Sequence, residues 1–156
     1  MSMKCVAVNH SNGQEMKIAW AAGFFDGDGC TAITKQWLPL RKNPTYRLRL
    51  VVAQNCLETL QVFLDALGEH GFFSSPKETL KMNKRVHYLI YEGRHALAVL
   101  NKLLPYLVRK PMGAKAAMLF WQEGLMGTLP GPKGLPPDAW VRREYWFKKI
   151  KLLDKR

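Results

Sequence analysis

No stretch of this chain approaches the ~18 consecutive apolar residues of a membrane-spanning helix, and the opening MSMKCVAVNHSNGQ lacks the long apolar core of a secretory signal. Cysteine is scarce. Cys5, Cys30 and Cys56 lie far apart, are odd in number and form no CxxC or Cys/His cluster. Neither a zinc site nor a disulfide framework is therefore supported, and a reducing compartment is the simpler expectation. Acid is scarce as well: 24 Lys and Arg stand against 12 Asp and Glu, a net charge of +12. Such an excess points to a polyanionic partner or an anionic membrane surface, and without a spanning run the membrane reading loses ground. The chain has no internal repeat, and His10, His70 and His95 suggest no triad or metal pattern.

What is present supports a real core. Apolar residues make up 47% of the 156 and aromatics 11%, enough for one domain with a small appendage. Residues 1–13 read as a loose leader, 14–129 as the main domain, 130–138 as a Pro/Gly linker and 139–156 as a basic, aromatic helix. Within the domain, QEMKIAWAAGFFDG (14–27) predicts a helix with Ala19, Gly23 and Gly27 on one stripe. Small residues four apart let a second helix approach closely, which explains glycine where it costs about 1 kcal/mol against alanine. The period then shifts to two. CTAITKQWL (30–38) and YRLRLVVAQ (46–54) predict a hairpin around the turn RKNPT. CLETLQVFLDALG (56–68) predicts a helix stopped by Gly68. GFFSSPKE and RVHYLIYEG predict a second hairpin joined through TLKMNK, and residues 94–107, 109–124 and 139–153 predict helices.

The chemistry centres on Asp26-Gly27-Asp28-Gly29. A calcium loop of the EF-hand kind fails, because the fifth and twelfth positions are Cys30 and Trp37 counted from Asp26, or Ala32 and Pro39 counted from Asp28. An Asp-Gly turn ending a helix is a common structural reading. Yet carboxylates there face the unfavourable end of the helix dipole, so something must hold them, and a divalent cation would. AWAAGFFDGDG (19–29) resembles the LAGLIDADG motif of homing endonucleases: Ala22, Gly23, Phe24, Phe25, Asp26, Gly27, Asp28 and Gly29 match, and Ala21 departs where leucine is usual. The resemblance implies an α+β fold of order αββαββα over about residues 14–124, with a saddle-shaped antiparallel sheet and additional C-terminal helices.

It also implies a symmetric homodimer of single-motif chains meeting through Ala19, Ala22, Gly23 and Gly27. Asp28 of each copy then lies at the axis, where Mg²⁺ or Mn²⁺ relieves their repulsion. Two metals about 4 Å apart can activate a water and stabilise the leaving oxygen of a phosphodiester. Carried over by resemblance, the metal ligands are Asp28 and the Gly27 carbonyl, with Asp26 bracing the helix end instead. Gln54 matches the residue that positions the attacking water, though a strand-end glutamine bonding its local backbone is an equal reading. Lys110 matches the cation near the scissile phosphate, with Arg109 the fallback. Where the family often has a further cation, NCLET supplies Glu58.

A duplex-binding surface can be read from the residues themselves. Residues 29–57 contain no acid but hold Lys35, Arg41, Lys42, Arg47 and Arg49. Ala32, Thr34 and Gln36 share the parity of Asp28, and Thr45, Arg47, Arg49 and Val51 share the polar face of the next strand. A β-ribbon fits the major groove, where arginine reads guanine and glutamine adenine. Lys77, Arg85 and His87 are expected to extend that face. Each residue alone is consistent with a solvated strand; the set is harder to explain so. A strand of about 9 residues spans about 30 Å, or roughly 9 base pairs, so two copies would read roughly 20 with two-fold symmetry.

The function expected is a Mg²⁺-dependent, homodimeric, site-specific DNA endonuclease that cuts both strands by hydrolysis and acts at intracellular DNA; the resemblance further implies a product encoded in a mobile intron or intein. The rival is a non-cleaving binder of the same fold, an RNA maturase or a DNA-binding regulator. Asp28 argues for cleavage, and the missing cation near Glu58 for the rival.

Overall fold

The computed structural model describes residues 10–76, 85–128 and 130–154. A long helix α1 (His10–Asp28) runs straight into strand β1 (Gly29–Gln36), followed by β2 (Thr45–Gln54), α2 (Leu57–Leu67), β3 (Phe72–Ser74), β4 (His87–Glu92) and α3 (Gly93–Leu103). After a 3-10 turn come α4 (Pro111–Leu119), a π-helical turn (Phe120–Leu125) and, at the end, α5 (Asp138–Asp154). The four strands form one antiparallel sheet in the order β1-β2-β4-β3. This is the expected αββαββα order.

Alternation sets the sheet's two faces. Tyr46, Leu48, Leu50 and Val52 of β2 are buried with Leu89 and Tyr91 of β4 beneath the helices, in one core with Phe25, Leu60, Phe63, Leu100 and Phe120. The intervening residues of β2 face away. Helix α2 stops where expected, with Gly68 at φ 65° and its N–H donating to Leu64 O at 3.1 Å; glycine enters this left-handed region without steric cost. Lys102 of α3 reaches the same helix end, donating to Leu67 O at 2.6 Å and to Glu69 at 3.1 Å. Together with His95, that ammonium holds the Glu69 carboxyl below the usual range.

Two elements differ from the sequence reading. The first strand stops at Gln36, and the chain turns at once, Arg41 N–H donating to Leu38 O with Leu40 at φ 66°. The expected helix over 109–124 breaks at Phe120 into the π turn. There Arg143 Nε donates to Gly124 O at 2.7 Å, and a side chain at Gly124 would press the Phe120 ring at 3.1 Å. A side chain drawing a carbonyl out of the helical ladder widens that ladder locally.

Helix α5 packs back across β1, α4 and the π turn. Trp146 and Ile150 are buried, and Trp146 and Trp140 donate their indole N–H groups to Glu123 and to Pro44 O. Its polar fastening is Glu144, which accepts from Lys35 Nζ at 2.8 Å and from the Tyr46 hydroxyl. Those two bonds hold the Glu144 carboxyl below the usual range, while burial and Glu144 together push the Tyr46 phenol up. A carboxyl depressed in the folded state stabilises fully above its unfolded pKa, and the contribution disappears as pH falls through the folded value. Glu144→Ala is therefore expected to cost about 2 kcal/mol at neutral pH, about 4–8 °C of melting temperature at this size. The gap should close as pH drops below about 4. Melting curves across pH check this; a gap that persists in acid would contradict it.

Candidate functional site

The two aspartates of the motif have different surroundings. Asp26 is buried, and its carboxylate accepts three successive backbone N–H groups: Val108 at 2.7 Å, Arg109 at 3.1 Å and Lys110 at 3.0 Å. These amides lead into α4, whose first residue is Pro111. The carboxylate that opposes the dipole of α1 thus sits where the dipole of α4 favours it. The expected bracing role of Asp26 has a physical basis in this joint.

Asp28 is exposed, and Gln54 Nε2 donates to its Oδ2 at 3.2 Å. The Gln54 side-chain carbonyl oxygen also accepts Asn55 N–H at 2.8 Å, the local backbone bond expected of a strand-end glutamine. Lys110 reaches in from the far side, donating to Phe25 O at 3.2 Å and to Gly29 O. An ammonium at the C-terminal end of α1 is favoured by that dipole. Gly27 lies in the last turn of α1, where carbonyls lack helical amide partners. Gly29 is required locally: a side chain there would come within 2.2 Å of the Phe25 ring. Asp28, Gln54 and Lys110, far apart in sequence, thus converge on one helix end, while Arg109 is exposed and gives its backbone N–H to Asp26. Glu58 lies in the first turn of α2, where its own backbone N–H and the Cys56 thiol hold its carboxyl below the usual range.

The open face of the sheet carries most of the expected residues. Register pairs Ala32 with Arg49, Thr34 with Arg47, Gln36 with Thr45, and Cys30 with Val51. Arg41 and Lys42 are exposed beyond the end of the hairpin, lining a hollow of about 290 Å³ with Trp140 and Arg143. Arg85 is exposed just ahead of β4, and Lys77 lies outside the described residues. Three corrections follow. His87 pairs with Gln54 and shares the parity of core-facing Leu89 and Tyr91; it bonds Ser75 at 2.7 Å instead of extending the open face. Lys35 turns to Glu144 and leaves the cationic set. The face also holds an acid, Glu92 of β4, which register places beside Arg49. Glu92 Oε2 accepts from Arg47 Nη1 at 3.1 Å, and its Oε1 lies 3.7 Å from Arg49 Nε. With Thr34, Gln36 and Thr45 these three line a hollow of about 240 Å³. HYLIYE does not itself alternate, since Leu89, Ile90 and Tyr91 are all buried, and only the pairing of β4 with β2 brings the acid to the arginines.

On α1, Ala19, Gly23 and Gly27 are exposed, and among the described residues no neighbouring atom outside the helix lies within 4 Å of where a side chain would start at either glycine. Ala22, expected at the same interface, is instead fully buried in the chain's own core, because a helical step of 100° per residue turns it inward. Among the described residues, no three His, Cys, Asp or Glu side chains converge as a metal cage.

No family model matches this sequence, and no curated protein does. Solved structures do. The homing endonuclease I-CvuI in complex with its target in the presence of calcium superposes with a TM-score of 0.71 at 24% identity, over 91% of this chain and 84% of that one. A second I-CvuI complex, with the I-CreI target and magnesium and with the DNA not cleaved, gives 0.70 at 27% identity over 90% and 83%. The chain has the fold of the LAGLIDADG homing endonucleases. The archaeal intron-encoded I-Vdi141I, complexed with DNA, shares the LAGLIDADG fold at 12% identity and a TM-score of 0.70, over 90% and 85% of the two chains. Against I-LtrWI, a LAGLIDADG homing endonuclease bound to target DNA, the score is 0.63 at 15% identity, over 96% of this chain but 48% of that one. This chain thus spans about half the length of I-LtrWI.

Proposed function

We propose that the protein is a site-specific DNA endonuclease that hydrolyses both strands of a long, approximately two-fold symmetric site as a homodimer using Mg²⁺. The observation that carries this reading is the convergence of Asp28, Gln54 and Lys110 on the end of α1, next to a stripe of small residues that the described residues leave uncovered. That stripe is self-complementary, so a second copy meeting it would bring two such ends together. The open face of the sheet then supplies the duplex contacts, with Thr34, Gln36, Thr45, Arg47 and Arg49 nearest the bases and Arg41 and Lys42 toward the flanks.

The donors suit a hard divalent ion. The exposed Asp28 carboxylate and the last-turn Gly27 carbonyl are oxygens, which Mg²⁺ and Ca²⁺ prefer. One chain offers few of them, and a partner's Asp28 and the phosphate would complete the set. When bound, the ion would polarise the phosphate and lower the pKa of water beside it. This chain's own contributions are defined without it. Gln54, within hydrogen-bond reach of Asp28, orients the attacking water. Lys110, fixed by the joint between Asp26 and the amides before α4, places positive charge beside the phosphate.

The test is incubation with a randomised duplex library and Mg²⁺, followed by sequencing of cut ends. One roughly two-fold symmetric site of about 20 base pairs is expected. Selective binding without any cutting would favour a non-cleaving binder of the same fold. Gly23→Leu probes the assembly. Space around Gly23 is open and helix propensity favours leucine, so the single chain should be stabilised by about 1 kcal/mol. Close approach of a second α1 is blocked, so sedimentation should show monomer and cutting should fall at least about 100-fold, some 2.7 kcal/mol. A dimer retained by Gly23→Leu would remove the stripe from the interface.

A further inference from the structure

The hollow on the open face holds one acid among its lining side chains. Thr34, Gln36, Thr45, Arg47 and Arg49 surround Glu92, whose two carboxylate oxygens are turned to two different arginines. Glu92 is also the N-cap residue of α3, yet its side chain makes no cap hydrogen bond. The carboxylate is directed at the guanidinium groups and away from the helix amides that an N-cap commonly serves. Arg49 Nε, facing it, is buried with no hydrogen-bond partner among the described residues. Each guanidinium has five N–H donors in a rigid fork, so an approach by one donor apiece leaves both arginines a free edge for paired hydrogen bonds.

We propose that Glu92 is a specificity-determining residue that holds Arg47 and Arg49 to read guanine edges in the major groove and keeps them off the phosphates. The inference rests on the DNA reading given above. An arginine free on a strand samples many rotamers and settles on the nearest phosphate, which carries no sequence information. A carboxylate between two arginines removes one positive charge from the hollow, weakening that indiscriminate attraction, and fixes the planes of both forks. Bidentate arginine then discriminates guanine by geometry. Selectivity thus comes partly from a group that disfavours the wrong contact.

The experiment selects duplexes from a randomised library with the full chain and with Glu92→Gln, in the presence of a chelator so that binding alone is read. It then measures affinity for a scrambled duplex over a salt series. The parent is expected to select guanine at one or more positions in each half of the site. Glu92→Gln should lose that preference about tenfold, bind the scrambled duplex more tightly and show a salt slope steeper by about one. Glu92→Asp, which keeps the charge on a shorter arm, should retain part of the preference. Should Glu92→Gln melt out, Arg47→Gln and Arg49→Gln give the same reading, each losing guanine at one position. An unchanged preference in Glu92→Gln overturns the proposal. A flattened preference without the steeper slope does so too, because mere loosening of the strands predicts that result. A parent that prefers no duplex overturns the DNA reading itself, which keeps the two failures apart.

Discussion

Under the proposed function, Asp28→Asn is expected to leave the chain folded and able to bind its duplex but to lower the cutting rate by about 1,000-fold. The side chain is exposed and accepts a single hydrogen bond, from Gln54. Asparagine keeps the shape and an oxygen for that bond, so stability should change by no more than about 0.5 kcal/mol. What disappears is the anionic oxygen that a divalent ion would bind. A loss of several kcal/mol in transition-state stabilisation, at 1.36 kcal/mol per tenfold, gives about that factor. A second effect has the opposite sign. Two like charges near a dimer axis repel when no cation lies between them, so without metal the Asp28→Asn dimer should be tighter than the parent's. Gel assays of cutting, electrophoretic shifts and sedimentation in chelator report the three quantities separately. Cutting within tenfold of the parent would remove Asp28 from the reaction.

Asp26→Ala should do the reverse, unfolding the chain more readily. The change removes a buried acceptor from three backbone N–H groups at 2.7–3.1 Å. Bonds to a charged acceptor contribute about 1.5–3 kcal/mol each and do not add fully. A total loss of about 3–5 kcal/mol, or roughly 10 °C in melting temperature, is expected. Asp26→Asn, which keeps one acceptor oxygen but turns an amine toward the remaining N–H groups, should fall in between. Denaturant titration gives the free energy directly. A melting temperature within about 2 °C of the parent would show that those amides find other partners at little cost. Two aspartates separated by one glycine are thus expected to fail in opposite ways, one in stability and the other in rate.

Much of this arrangement was legible in the chain because its signals are local. The change from a 3.6 to a 2.0 period after Gly29, the stop at Gly68, and the exposed glycines four apart follow from steric rules that act over a few residues. Residues whose role depends on which strand lies beside them were harder to read. Lys35 and Arg47 have similar local surroundings in sequence, yet α5 claims the first and β4 pairs with the second. Glu92 is 43 positions from Arg49, and only the β2–β4 register brings them together. The sequence suggests the open face for His87, whereas the β2–β4 register sets it opposite Gln54 on the side of Leu89 and Tyr91. The break at Phe120 depends on Arg143, nineteen residues downstream. The destination of Asp26 was hidden for a similar reason: its partners are amides, and every residue but proline has one.

That last point bears on how distant copies of such a chain should diverge. The joint between α1 and the segment before α4 has a side chain at one end only. Val108 and Arg109 are exposed and give Asp26 nothing but main chain, so they can drift without weakening it, while the acid opposite them cannot. Methods that infer proximity from paired changes of residue type will therefore miss one of the firmest contacts in the molecule.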